Sequence, residues 1–275
     1  MLTAIADIVG NYKNFLGDEF PKRFKAFGDL LVSQPASARA EAVTFYFFRD
    51  RVDEVQIEED PDKGGVDFRC VTRKSEFVVE VTHLEDESIS QASGLKNEIP
   101  EKTTVRSFGW ITHLLRTAVS GKAGQMSGYC CPRILVITSE HVYANDLLSS
   151  KIAAEFLMTS DTSIPITNRE PEQDLVLQTC LEDSVFFRPN KQNNDFESCR
   201  QSISAILLCS IRENAMEIVG ILHPDPVHKF PIRFLPTIPF VKLNRWPPKN
   251  NKIKTEWVTH KRAKLTPTGS FGWYY

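Results

Sequence analysis

An α/β fold built on a mixed sheet, with helices added before it and strands added after it, is what the sequence predicts. Three observations carry that prediction. Val- and Phe-rich segments from Gly65 to Phe68 and from Phe77 to Thr82 flank the polar turn Arg73-Lys74-Ser75, as strands of a hairpin do. Arg133 to Thr138 is an apolar run bounded by Pro132 and Ser139, as expected of a buried central strand. Between them, over Ser107 to Ala118, Trp110, Ile111, Leu114, Leu115 and Ala118 recur at helical spacing. With 275 residues, 41% of them hydrophobic, the chain can bury a sizeable core in one large domain or a domain with additions.

The elements follow in order. Leu2 to Phe15 and Phe20 to Leu31 read as amphipathic helices, an N-terminal extension over residues 1–35 that packs on the core. Ser37 to Arg49 reads as an apolar helix, opened by Ser37 as its cap and carrying one acid, Glu41. Val52 to Glu58 alternates Val52, Val55 and Ile57 with acids, a first strand. After the hairpin, Glu85 to Lys102 reads as a polar loop. Lys122 and Gln125 lie three apart, on one face if the helix runs on, although Gly121 and Gly124 weaken it. Asn145 to Met158 reads as another helix, and Asp174 to Gln178 and Ser184 to Arg188 as short strands. Ser202 to Ile211 and Met216 to Leu222 read as buried strands around the turn Arg212-Glu213-Asn214, extending the sheet of a core that spans residues 36–230.

Residues 231–275 turn Pro-rich and then basic. Lys242, Arg245, Lys249, Lys252, Lys254, Lys261, Arg262 and Lys264 face one acid, Glu256, with Trp246, Trp257, Trp273, Tyr274 and Tyr275 interleaved. Basic charge with aromatics suits a phosphate backbone and its bases. The competing reading is a solvated tail whose aromatics dock on the body. A net charge of −2 gives no global attraction to nucleic acid, so any binding surface must be local.

Chemistry concentrates at the hairpin. Neighbouring strands joined by a short turn let Asp67 and Glu80 fall near each other on one face. A carboxylate flanked by Val79 and Val81, as Glu80 is, costs several kcal/mol to bury without a partner. Mg²⁺ or Mn²⁺ held by two carboxylates is one such partner, and such ions are the usual apparatus for cutting phosphodiesters. Plain alternation offers a blander reading, with Phe77, Val79 and Val81 inward and Val78, Glu80 and Thr82 toward solvent.

Asp67, a hairpin and then Glu80-Val81-Thr82 resembles the core of the PD-(D/E)xK, or restriction-endonuclease-like, nuclease superfamily. The surrounding order of helix, three strands, helix and strand is also that family's, over Ser37 to Ser139. The resemblance implies that Asp67 and Glu80 bind Mg²⁺ or Mn²⁺. Thr82 stands where the family keeps a strand lysine; some members supply that lysine from the following helix. Lys122 with Gln125 falls where many members keep a K-x-x-Q, and Glu41 where many keep an extra acid on the first helix. The expected activity is metal-dependent phosphodiester hydrolysis, with Lys122 orienting the attacking water. The expected partner is nucleic acid, DNA ahead of RNA, and a homodimer is admitted. The Thr82 departure supports the other reading, a nuclease-fold binding or structural protein without catalysis, such as a defence or mobile-element component.

The remaining signals bound the answer. No apolar run reaches the length of a membrane span, and the N-terminus lacks a basic-then-apolar signal segment, so a cytoplasmic protein without membrane contact is expected. None of the six cysteines forms a C-x-x-C pair, and Cys70 and Cys209 lie in strand-like runs as buried thiols, which suits a reducing compartment. His83, just past Glu80, could approach the metal or a phosphate. His113 reads as a helix surface or packing residue. His223 and His228 flank Asp225, but turn chemistry accounts for His223-Pro224-Asp225-Pro226. No P-loop, dinucleotide glycine fingerprint or nucleophile elbow occurs.

Overall fold

Proline sets the rhythm of the first fifty residues. Pro21 and Pro35 each open a helix at the position where a missing N–H costs nothing. The chain therefore folds as α1 (Ile5–Glu19), α2 (Pro21–Ser33) and α3 (Pro35–Arg49) with almost no connecting residues. A computed structural model describes residues 5–60, 62–94, 97–98, 109–158, 161–163, 178–180, 184–190, 195–212, 215–248 and 254–259. Ser37 is not the cap expected from the sequence. The helix starts two residues earlier, and the Ser37 hydroxyl donates to Glu85 at 3.1 Å.

The strands β1 (Glu54–Ile57), β2 (Phe68–Thr72) and β3 (Ser75–His83) follow. The β2–β3 hairpin turns at Arg73-Lys74, where the Thr72 hydroxyl donates to the Ser75 carbonyl at 2.6 Å. Asp86–Ser93, expected as loop, is instead a helix, α4, which ends on Gly94 in the left-handed conformation. Its first turn carries Asp86 and Glu87, which suit the positive end of a helix, and Ile89 anchors it in the core. The helix α5 (Gly109–Ala123) runs five residues further than the apolar spacing predicts, through Gly121, and a 3₁₀ turn over Gln125–Gly128 completes it. Residues 107 and 108 of the predicted helix lie outside the described residues.

The fully buried β4 (Arg133–Ser139) comes next, and the single helix expected over Asn145 to Met158 breaks into α6 (Ala144–Leu147) and α7 (Ser150–Met158). Short strands β5 (Asp161–Ser163) and β6 (Gln178–Cys180) pair together, as do β7 (Phe187–Asn190) and β8 (Asp195–Ser198). Of the strand expected over 174–178, residues 174–177 lie outside the described residues. The hairpin β9 (Ala205–Arg212) and β10 (Ala215–Leu222) is followed by β11 (Phe240–Leu243) and β12 (Thr255–Val258).

Eight of these strands form one mixed sheet, in the order β1-β2-β3-β4-β9-β10-β11-β12. The β3–β4, β4–β9 and β10–β11 pairs are parallel and the others antiparallel. Helices cover both faces, so central strands are apolar throughout rather than alternating. On one face Tyr12, Phe27, Phe45 and Phe48 from the first three helices pack on Val79, Val136 and Leu207. On the other, Ile111 and Leu115 of α5 and Phe156 of α7 pack on Val78, Leu135 and Leu208. The sheet thus extends beyond Leu222, as the sequence did not show. Gly220 makes that possible, because a Cβ there would meet the Phe240 ring at 2.1 Å. The described part of the basic segment is correspondingly built into the body. Lys242 pairs with Glu256 at 2.9 Å, and Trp246 lies 5.5 Å from Phe187, centroid to centroid. That arrangement is the docked-aromatic reading. Lys249, Lys252, Lys261, Arg262, Lys264, Trp273, Tyr274 and Tyr275 lie outside the described residues.

Candidate active site

The β2–β3 ladder stops at Phe68 opposite Val79, one step short of Asp67 and Glu80. Continued by one residue, the same register places Asp67 opposite Glu80. Beyond the last pair, the Val81 backbone N–H has lost its strand partner and donates to Asp67 Oδ2 at 2.7 Å. The chain reaches Asp67 through Gly64 and Gly65, at φ +74° and +136°, conformations that residues with a Cβ rarely adopt. Tyr129 pins this approach, its hydroxyl accepting the Val66 N–H at 3.2 Å.

Glu80 is 3% exposed, so the plain alternation that sends it to solvent does not hold. The reason is α5, which covers the face that an isolated hairpin would leave wet. Its last turn delivers Lys122, whose Nζ lies 2.5 Å from Glu80 Oε1. Gln125, on the 3₁₀ turn, donates through Nε2 to Glu80 Oε2 at 3.3 Å and also to the Gly65 carbonyl. It thereby ties the loop before Asp67 to the second carboxylate. Lys122 and Gln125 touch each other at 3.5 Å. Burial raises the pKa of Glu80, and Lys122 opposes that rise.

The N-terminal helices α1–α3 add a second set of charges. Arg23 of α2, only 8% exposed, sits with its guanidinium 2.8 Å from Glu41, 2.5 Å from Glu59 and 3.8 Å from Asp67 Oδ1. Tyr12 donates its hydroxyl to Glu41 at 2.7 Å. Burial pushes the Glu41 carboxyl up, against the pull of Arg23 and Tyr12. Asp67 is raised well above the ordinary carboxylate range, first by burial and then by the nearby Glu80 and Glu41. Asp67, Glu80, Lys122 and Gln125 therefore form one contact network, and Glu41 reaches it through Arg23. Arg23, Tyr12 and Glu59 were missed in the sequence. One signal was present: Arg23 and Phe27 lie four apart on the same stripe of α2 and both are buried, so a charge sits on the apolar face of an amphipathic helix.

Four carboxylates (Glu41, Glu59, Asp67 and Glu80) meet two cations here, Arg23 and Lys122. Ionised together they leave two negative charges in excess, which one divalent cation would balance. Among the described residues no group of three or more His, Cys, Asp and Glu side chains gathers closely enough to hold a metal. The donor set thus does not suit a closed zinc site. It does fit Mg²⁺ or Mn²⁺, which take one or two carboxylates and complete their shell with waters and substrate phosphates.

Thr82, two residues beyond Glu80 on β3, shares its face and leaves the lysine position of the strand without a charge. The histidines stand apart. His83 is an odd number of residues from Glu80, on the opposite face, and its Nδ1 contacts the Thr138 hydroxyl at 3.0 Å. His113 is exposed on α5. His223 accepts the Asp225 N–H at Nδ1 and contacts the Cys199 carbonyl through Nε2, both at 2.9 Å, so neither nitrogen is left for a metal. Burial holds its pKa down at about 4. Folded His223 stays neutral where the unfolded chain, with a pKa near 6.5, takes a proton. Its contribution is complete above that pH and is lost as pH falls toward 4, by about 3 kcal/mol. Urea midpoints measured from pH 7 to 4 should fall less steeply in His223→Gln than in the parent, and equal slopes would remove His223 as the cause.

Five of the six cysteines have described side chains, and all five are free thiols, Cys70 and Cys209 among them buried. No helix among the described residues is long and apolar enough to cross a membrane. Comparison of the chain with protein-family models, with curated proteins and with solved structures gives no match.

Proposed function

We propose that this chain is a metal-dependent nuclease of the PD-(D/E)xK type. The observation that carries the reading is the Lys122–Glu80 contact beside an Asp67 that stands opposite Glu80 in the strand register. A lysine from the helix after the hairpin thus reaches the carboxylate whose own strand offers only Thr82. The order of α3, β1, β2, β3, α5 and β4 around the site agrees with that family's core, with α4 inserted before α5.

In this reading Asp67 and Glu80 hold Mg²⁺ or Mn²⁺. The bound ion would acidify an attacking water and neutralise charge on the phosphate. Gln125 fixes the orientation of Glu80 and of the loop before Asp67. Lys122, 31% exposed along its side chain, keeps ammonium N–H groups for a phosphate oxygen or for the attacking water. Hydrolysis joins the water oxygen to phosphorus, breaks the bond to the opposite oxygen and returns a proton to that leaving group, with displacement in line.

Calorimetric titration with Mn²⁺, together with cleavage assays on single- and double-stranded DNA and RNA, tests the proposal. Parent protein should show a binding event and cut at least one substrate. Glu80→Gln, which keeps a hydrogen bond to Lys122 but loses the charge, should show neither. A parent that binds Mn²⁺ and cuts nothing would favour a nuclease-fold binding protein without catalysis. A parent that binds no Mn²⁺ would reject the metal site.

A further inference from the structure

We infer that Tyr129 is a positioning residue for Asp67: together with Gln125 it grips one peptide group, Gly65–Val66, and so sets the backbone that leads into that carboxylate. The inference rests on the metal-dependent reading above. The two contacts fall on opposite ends of a single plane. Gln125 Nε2 donates to the Gly65 carbonyl, and the Val66 N–H donates to the Tyr129 hydroxyl at 3.2 Å. A peptide group is planar, so holding its oxygen and its N–H together fixes its orientation. Val66 is fully buried, and the ladders of β2 with β1 and with β3 both end at Phe68. Its N–H therefore relies on the tyrosine, because a buried N–H without a partner is costly.

The plane needs such a hold because it follows Gly64 and Gly65, at φ +74° and +136°. Without a Cβ, that segment has rotations open to it that other residues lack. The bracket, by contrast, is rigid. Gln125 and Tyr129 lie on and just after the 3₁₀ turn, and Met126 between them is buried. The Tyr129 carbonyl accepts from Nε of the buried Arg133, at the start of β4, at 3.1 Å. Its ring packs against the core on the α5 face of the sheet. One residue beyond the plane, the Asp67 carbonyl accepts the Glu58 N–H at 3.0 Å. Gln125 also donates to Glu80 Oε2 at 3.3 Å, so the same bracket holds the backbone before Asp67 and the second carboxylate in one frame. In this scheme Tyr129 acts through the peptide and not on the ion.

Two readouts on the full-length chain test this, one of them without metal. Tyr129→Phe removes the hydroxyl and keeps the ring. In the metal-free variant, amide hydrogen exchange at Val66 should speed up about tenfold, the equivalent of one hydrogen bond. Calorimetric titration should show Mn²⁺ affinity falling about 10–100-fold, as when a group that orients a metal ligand is lost. In a Gln125→Ala background the same change should cost less, since a plane already released at its oxygen has less orientation to lose. Tyr129→Met serves the same purpose should Tyr129→Phe fail to fold. A tyrosine confined to packing would move the melting temperature and leave Mn²⁺ affinity alone. Parent-like affinity in a folded Tyr129→Phe or Tyr129→Met protein, or losses that simply multiply with those of Gln125→Ala, would overturn the inference while leaving the metal reading intact. No Mn²⁺ binding by the parent would remove both, and exchange at Val66 would then report on the peptide alone.

Discussion

Lys122→Ala should abolish cleavage, leave Mn²⁺ binding in place and lower the stability of the metal-free protein. The sequence alone suggests a different third outcome, because a lysine beside a glycine at a helix end reads as a solvated side chain of little structural consequence. In the structure that lysine is 2.5 Å from a carboxylate that is 3% exposed. Removing one partner of a buried pair costs about 3–5 kcal/mol, because the other charge stays behind. With Lys122 itself partly exposed, about 1–3 kcal/mol is expected. Glu80 in the variant loses its ammonium partner and keeps Gln125, at 3.3 Å, and the Asp67 backbone N–H, and burial then drives its pKa further up. The deficit should shrink as pH falls and Glu80 takes a proton. Mn²⁺ should restore most of the loss, since the ion supplies the missing positive charge. Thr82→Lys in this background places an ammonium two residues from Glu80 on the same face, and partial recovery of cleavage is expected. A Lys122→Ala protein that cuts as fast as the parent would transfer the role to another cation.

The same contact marks how far the sequence could be read. Asp67 and Glu80 were legible because a hairpin with a short polar turn fixes its own register, and the register alone sets them opposite each other. Lys122 and Gln125 were legible as a pair, but the glycines at 121 and 124 obscured the fact that α5 runs through the first of them. Packing of Val119 and Met126 into the core offsets the weak local propensity. The burial of Glu80 was not legible: alternation along β3 reports the strand's own pattern, not which helix will cover its second face. The pairing of Arg23 with Glu59 was not legible for a related reason, since it joins the N-terminal helices to a loop 36 residues later, and the periodicity that sets Arg23 on the apolar stripe of α2 does not say which acid it will meet. The far edge of the sheet was lost to composition, because prolines at 231, 236 and 239 and the basic run conceal β11 and β12, each of four residues.

Asp67→Asn should have two opposite effects. Mn²⁺ binding and cleavage should disappear, because a neutral amide is a poor ligand for a hard cation. The metal-free protein, by contrast, should become more stable at neutral pH. Asp67 is held well above the ordinary carboxylate range by burial and by Glu80 and Glu41, so its folded pKa exceeds its unfolded one. A group shifted in that direction contributes fully below the unfolded value, about 3.9, and the contribution is lost as pH rises through the folded value. The loss is about 1.4 kcal/mol for each pH unit by which the carboxyl is raised. Asparagine has no proton to lose, and its amide oxygen can still accept the Val81 N–H that Asp67 Oδ2 accepts at 2.7 Å. Thermal melts without metal from pH 4 to 8 should therefore show the parent falling behind Asp67→Asn as pH rises. With saturating Mn²⁺ the order should reverse, because binding to the folded state alone stabilises only the parent. The ion must displace a proton from Asp67, so parent affinity should also increase with pH across the interval in which the parent's metal-free stability declines. If Asp67→Asn melts below the parent at every pH without metal, Asp67 is the ionised structural partner of Arg23, and the site then lacks the surplus charge that a divalent cation needs.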